Sequence, residues 1–307
     1  MSTLTCSWVL RMTEVFCDWL DVTFAPDNCP YPDANRLLLD AGFEVHPAQD
    51  HSKHLYLPPK PLRGAVVIRH TARWASISAS GGAIAYLRDC SRWMDYLFVL
   101  STSPHTVTRV DVAVDLSIDG PDLLDSLRSR HSCGHVNLGR KAIKTSVMLE
   151  TRSDGRETGT WYAGHRSKAR LTARAYDKAY ELLTKYGELI PPRSRVEITA
   201  RKGFGATLRD AALPEALFWH AASPTILQAP EGVPVWQPNH DMCWTANPPA
   251  FDPAAILRRR VESLAELDAL LLLAEDLGPS GRDYLLELIR KRLKAPATAS
   301  DTASSAA

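Results

Sequence analysis

The sequence predicts an α+β fold: a mostly antiparallel central sheet with flanking helices, plus a C-terminal helical hairpin. Three observations carry this. "TVTRVDVAVDLS" (106–117), "RLTARAYDK" (170–178) and "RSRVEITARK" (193–202) alternate apolar and polar residues with the period of a strand. "IKTSVMLETRS" (143–153) and "ETGTWYAGHRS" (157–167) are consecutive strand patterns around "SDGR", a turn signal. Helical patterns interrupt the strands irregularly, leaving several strands adjacent in sequence, which favours antiparallel pairing.

The remaining elements follow in order. "VFCDWLDVTF" (15–24) reads as a strand. "DANRLLLDAGF" (33–43) reads as a helix capped by Asp or Asn and closed at Gly42. "GAVVIRHTARWASISASGG" (64–82) reads as two strands joined by a turn and ended by a Gly-Gly break. A helix is expected over 91–102, and another over 120–131 with Pro121 near its start. "AYELLTKYG" continues the strand at 170–178 as a helix ending at Gly187. These elements make one domain over 1–220. Residues 221–251 form a Pro/Trp-rich connection, expected to be packed down by Trp236 and Trp244. Asp252 and Pro253 open the helical hairpin of 252–294, broken at Gly278-Pro279. The small, polar tail 295–307 is expected to be disordered.

Composition narrows the class. Of 307 residues, 45% are apolar and 23% charged, as in soluble globular proteins. Six cysteines show neither C-x-x-C nor zinc-finger spacing. The first residues lack a basic stretch before their apolar part, and Glu14 and Asp18 interrupt that part, so no signal peptide is expected. Nor is there an apolar run long enough to span a bilayer. The expectation is a cytoplasmic protein with reduced thiols. Net charge is +1, yet Val136–Lys202 holds 15 Lys/Arg against 7 Asp/Glu. A local excess of cations suits a polyanion, nucleic acid above all; a solvated surface is the alternative.

Residues two apart on a strand share a face. One face of "RVDVAVDL" carries Val110, Val112, Val114 and Leu116; the other carries Arg109, Asp111, Ala113 and Asp115. The next two strands present Thr172, Arg174, Tyr176 and Lys178, and Arg193, Arg195, Glu197 and Thr199. These polar faces suit phosphoryl chemistry. A tyrosine hydroxyl attacks a phosphodiester when its proton is removed and the developing charge is stabilised. Asp111 and Glu197, from neighbouring strands, suit Mg²⁺ or Mn²⁺ as hard oxygen ligands. Asp115 lies about 13 Å from Asp111 along a straight strand and is expected to support the site from outside. In the alternative reading Asp111 and Glu197 merely pair with Arg109 and Arg195. "YAGHRSKAR" (162–170) is either an ordinary basic turn or a phosphate clamp in which Gly164 admits the DNA backbone and Arg166, Lys168 and Arg170 grip it. The ten histidines show no metal spacing.

The ordered set "DWLDVTF", "SISASGGAIAYL", "RVDVAVDL", "GTWYAGHRSKARLTARAYDKAYE" and "RVEITAR" resembles the replication initiation factor family. That family comprises initiators of rolling-circle plasmids and replication proteins of filamentous bacteriophages, and the phage-type members are the closer resemblance. The resemblance covers roughly residues 15–220. It implies a nickase that attacks an origin strand through tyrosine, keeps the 5′ phosphate as phosphotyrosine and frees a 3′ hydroxyl primer. On this sequence it implies Tyr176 as nucleophile with Lys178 beside it. The matching acids are Asp111, Asp115 and Glu197, and the matching basic turn is Tyr162, Gly164, Arg166 and Ser167. Arg109, Arg174 and Arg195 would face the DNA. The partners expected are origin DNA, a host helicase and a second copy of the chain. Many rolling-circle initiators bind metal through a His-hydrophobic-His strand, and this sequence has no such triplet, so a metal would rest on carboxylates.

Two competing readings stand beside this one. The alternative function is a non-catalytic, origin-binding regulator of the same fold. A polymerase-like palm is disfavoured because D-V-A-V-D spaces its acids too widely for joint metal binding. No G-x-x-x-x-G-K-[ST] loop is present, which argues against an ATP-driven motor.

Overall fold

A computed structural model describes residues 14–47, 53–133, 136–138, 141–165, 168–238, 283–284 and 286–287. The chain divides into two compact units, Met1–Cys243 and Trp244–Ala307. In the second, the four described residues are helical. The rest of the expected hairpin and tail, and Trp244, lie outside the described residues.

The first unit runs β1 (Phe16–Phe24), a 3-10 turn (Pro26–Asn28), α1 (Tyr31–Asp40), β2 (Glu44–Pro47), β3 (Lys53–Leu57), β4 (Val66–His70), β5 (Ala75–Ser80), α2 (Gly81–Asp89) and α3 (Trp93–Ser101). It continues with β6 (His105–Leu116), α4 (Gly120–Ser132), β7 (Asn137–Leu138), β8 (Lys141–Ala142), β9 (Thr145–Thr151) and β10 (Glu157–Ala163). Then come β11 (Leu171–Asp177), α5 (Lys178–Tyr186), β12 (Ser194–Arg201), α6 (Leu208–Ala212) and α7 (Glu215–Ala222). Strands β7 and β8 pair with each other, and the other ten form one sheet in the order β2-β3-β4-β5-β1-β6-β12-β11-β10-β9. Neighbouring strands are antiparallel throughout it. The fold is therefore α+β, as the alternating strands require.

The period-two pattern sets the core. Val110, Val112, Val114, Val196, Ile198, Leu20 and Val22 are buried on one face of the central strands. Helices α6 and α7 pack against β6, and α4 against β10 and β11, bringing in Leu123, Leu127, Leu208, Leu217 and Phe218. Each such side chain contributes about 1.5–3 kcal/mol by leaving water. Among the described residues, no helix is long and apolar enough to cross a membrane.

Several boundaries differ from expectation. Helix α1 starts at Tyr31 rather than Asp33 and has no side-chain cap; Pro32 occupies its first turn. Gly81-Gly82 ends β5, as expected, and also opens α2. The close packing around this turn explains the glycines: a Cβ on Gly82 would lie 2.0 Å from the Arg63 carbonyl oxygen. Strands β2 and β3 were not expected, because their mixed sequences carry no clean alternation. Helix α7 runs to Ala222, past the expected boundary at residue 220. The following segment folds back through Trp236, whose indole stacks on Phe204 at 4.7 Å and donates to Asp210 Oδ1 at 2.7 Å.

Candidate active site

Antiparallel register lays the polar residues out in rows across the sheet face opposite the core. One row reads Asp115, Arg195, Tyr176 and Thr160 across β6, β12, β11 and β10. The next reads Phe16, Ala113, Glu197, Arg174 and Tyr162, starting from β1. A third reads Trp19, Asp111, Thr199 and Thr172. Directly opposed side chains lie close enough to pair. The structure therefore brings Tyr176, Arg174, Arg195, Glu197, Asp111, Asp115 and Arg109 onto one face.

The face is a lattice of charge pairs. Glu197 is fully buried and accepts from the Tyr176 hydroxyl at 2.6 Å and from Arg174 Nε at 2.5 Å. Asp111 takes both prongs of Arg109, at 2.9 and 2.5 Å. Asp115 takes two from Arg195, at 2.6 and 3.0 Å. Buried carboxylates require such partners, since an unpaired buried charge is very costly. The expected alternative pairing is thus half right. Asp111 does pair with Arg109, but Glu197 pairs with Arg174, and Arg195 goes to Asp115. Lys178 begins α5, bonds Glu181 at 2.7 Å and sits 5.7 Å from the Tyr176 ring centroid, while Arg174 sits 5.2 Å from it.

Burial pushes the Tyr176 hydroxyl well above the ordinary phenol range, and the Glu197 charge pushes it further; Arg195 and Arg174 oppose both. Tyr176 is therefore a neutral phenol poised on a carboxylate.

Asp18 belongs to the site and alternation does not reveal it. The β1–β6 register slips between Cys17 and Trp19, leaving Asp18 as the extra residue of a β-bulge. The bulge turns it onto the polar face, where it accepts from Arg195 Nη1 at 2.9 Å. Burial raises its carboxyl to about 6; Arg195 opposes this, Glu197 and Asp111 add to it, and Lys178 opposes it. A folded pKa above the unfolded value means the native state binds the extra proton. Ionising Asp18 therefore costs stability as pH rises from about 4 through about 6. We expect Asp18→Asn to gain stability relative to the parent over that interval. Urea midpoints at pH 4.5 and 7 check this; an unchanged difference would contradict it.

A second cluster fixes the β11–α5 junction. Asp177 is buried, caps α5 by accepting from the Tyr180 amide at 2.9 Å, and accepts from Thr158 Oγ1 at 3.0 Å. Arg152, from the end of β9, bridges Asp177 and Asp119, the cap of α4. Gly120 leaves room for this: a Cβ there would lie 2.3 Å from that of Asp177. Arg152, Asp177 and Asp119 were absent from the expected site, because their union depends on which loops meet.

The basic turn is only partly described. Arg166 and Ser167 lie outside the described residues. Gly164 has φ of +85°, and Tyr162 stands opposite Arg174. Lys168 and Arg170 are exposed, and Arg170 donates to the Gly203 carbonyl at 3.2 Å.

Metal binding can be weighed against this geometry. Asp111 and Glu197 are diagonal neighbours on β6 and β12, about 7–8 Å apart at the backbone. Each carboxylate already faces a guanidinium, and among the described residues no group of three His, Cys, Asp or Glu side chains could hold an ion. As arranged, the face does not fit a resident divalent cation.

Compared with known proteins, the sequence matches no family profile and no curated protein. Among solved structures, one match is the rolling circle replication initiator protein from Geobacillus stearothermophilus. It is 18% identical, with a TM-score of 0.45, over 66% of this chain and 78% of that one.

Proposed function

We propose that this chain is a rolling-circle DNA replication initiator that nicks an origin strand with Tyr176. The observation that carries this reading is the Tyr176 hydroxyl bonded to buried Glu197, with Arg174, Arg195 and Lys178 around the ring. A packing tyrosine needs one partner for its hydroxyl; it does not need a buried carboxylate and a surround of cations. The ordered motifs of the sequence support the same reading.

The step runs as follows. Tyr176 Oη attacks the phosphorus of the scissile phosphodiester while Glu197 Oε1 takes the phenolic proton. The bond from phosphorus to the 3′ oxygen breaks, and that oxygen leaves as the 3′ hydroxyl after taking a proton from water. The 5′ phosphate stays on Tyr176. Arg174, Arg195 and Lys178 hold the non-bridging oxygens, whose charge grows in the transition state. Arg109, Tyr162, Gly164, Arg166, Ser167, Lys168 and Arg170 extend the DNA contact beyond the scissile phosphate.

Mg²⁺ or Mn²⁺ belongs to this reading as an ion arriving with the phosphate; Glu197, opposite Arg174, and Asp115, in the row of Tyr176, are nearer to it than Asp111, which lies two rows away. No part of the step is assigned to it. The same reading puts the protein in the cytoplasm of a bacterial host, on a phage or plasmid origin, with a host helicase and a second copy as partners.

The test is nicking of supercoiled DNA carrying the cognate origin, with a denaturing gel to detect protein on the 5′ end. We expect a nick and an adduct with Mg²⁺ or Mn²⁺ present, and a parallel reaction in excess EDTA decides whether an ion takes part. Full activity in EDTA would remove the metal. Binding without cleavage on the correct origin would favour the non-catalytic regulator.

A further inference from the structure

We propose that Trp19, with Arg109, forms a stacking site for an unpaired DNA base on the same sheet face as Tyr176. The proposal rests on the DNA-nicking reading and specifies the substrate form it takes: single-stranded at this site.

A half-buried tryptophan on a polar face needs a reason, because its apolar surface serves no core there. Trp19 stands opposite Asp111 on one side and Ser80 on the other. Both planar groups are held in place. The indole nitrogen donates to Asp21 Oδ1 at 2.8 Å, which fixes the ring's tilt. Arg109 is locked in its bidentate grip on Asp111, and its guanidinium carbon lies 4.9 Å from the indole centroid. This is a ready-made stack of aromatic ring and guanidinium. Immobilised planes of this kind take up bases at little further entropic cost.

The neighbours of Trp19 on one side are short. On the β5 side the polar face is built from Ser76, Ser78 and Ser80, opposite Thr23, Asp21 and Trp19. Three short side chains make a low floor beside a tall ring. Positive charge flanks the ring on both sides: the Arg109 guanidinium on the β6 side is one-third exposed, and Arg69 of β4 stands opposite Ser76 beyond β5. The chemistry that fits is a flat heteroaromatic ring attached to a polyanion. A paired base has its faces covered by its neighbours in the duplex, so only an unpaired base can use the site.

The geometry also places the site at a useful distance. Strands β6 and β12 lie between β1 and β11, so Trp19 and Tyr176 are separated by about 14 Å across the sheet. Trp19 shares its row with Thr172, four residues from Tyr176, which adds about 13 Å along the strands. A strand held at Tyr176 would cross the arginine-capped carboxylates before its base reached Trp19.

The test uses fluorescence anisotropy with a labelled single-stranded oligodeoxynucleotide of mixed sequence. A second strand of the same length carries abasic sugars at its central positions, and a third probe is the duplex. The full-length chain is compared with Trp19→Leu, which keeps apolar bulk, and Trp19→Phe, which keeps a ring. We expect Trp19→Leu to bind the base-bearing strand about 5- to 100-fold more weakly. Its affinity for the abasic strand and the duplex should match the parent, which also shows that it folds. Trp19→Phe should recover most of the loss. Equal binding of the base-bearing strand by Trp19→Leu and the parent would overturn the proposal. So would an equal loss on the base-bearing and abasic strands, or a Trp19→Phe protein as weak as Trp19→Leu. A parent chain that binds neither single strand nor duplex would instead overturn the DNA reading itself.

Discussion

Tyr176→Phe is expected to abolish both the nick and the 5′ adduct, lowering cleavage on the order of 10⁴-fold or more. The substitution removes one oxygen and keeps the ring that Arg174 and Lys178 flank. Glu197 keeps its Arg174 partner, so the fold should survive with a cost of about 1–3 kcal/mol for the lost hydrogen bond. Origin binding should persist. Glu197→Gln separates nucleophile from base. It retains shape and a hydrogen-bond acceptor, but it cannot take the proton from a phenol that burial holds neutral. Cleavage should fall about 10²- to 10⁴-fold, with origin affinity little changed. Cleavage surviving intact in Tyr176→Phe would move the nucleophile elsewhere. Tyr162, beside Arg174, and Tyr180, beneath Arg152, would then be the next hydroxyls to remove.

Arg152→Ala is expected to be the most destabilising surface-derived substitution, at about 3–5 kcal/mol. Arg152 is largely buried between Asp119 and Asp177. Its removal leaves Asp177, buried at the end of β11, with only Thr158 and the Tyr180 amide. Asp177 is both the residue after Tyr176 and the cap of α5, so the junction that carries Tyr176 and Lys178 should loosen. Arg156→Ala is the control. Arg156 bonds Asp119 and Asp122 from a far more exposed position, where such pairs contribute about 0–1 kcal/mol. Urea unfolding, read as a midpoint shift at constant slope, distinguishes the two. Equal midpoints for both variants would mean that the buried bridge holds nothing.

Much of the site was legible because a strand fixes its own faces. Asp111 and Asp115 had to share a face, as did Arg174 with Tyr176, and Arg195 with Glu197, whatever the strands paired with. The end of α5 at Gly187 was legible too, since a glycine stop is a local signal, whereas its start was read one residue late, at Ala179 instead of Lys178. That much the amino-acid order determined alone.

The tertiary structure decided the partners. Arg174 rather than Arg195 meets Glu197 because the β11–β12 register sets them opposite one another, and register depends on residues far apart in sequence. Asp18 reaches the face only because the β1–β6 pairing contains a bulge, which alternation within β1 cannot disclose. Arg152 finds Asp177 because the end of β9 is carried to the start of α4 and α5. Local periodicity sets which way a side chain points; long-range pairing sets what it meets there, and at this site that pairing places the Tyr176 hydroxyl on Glu197.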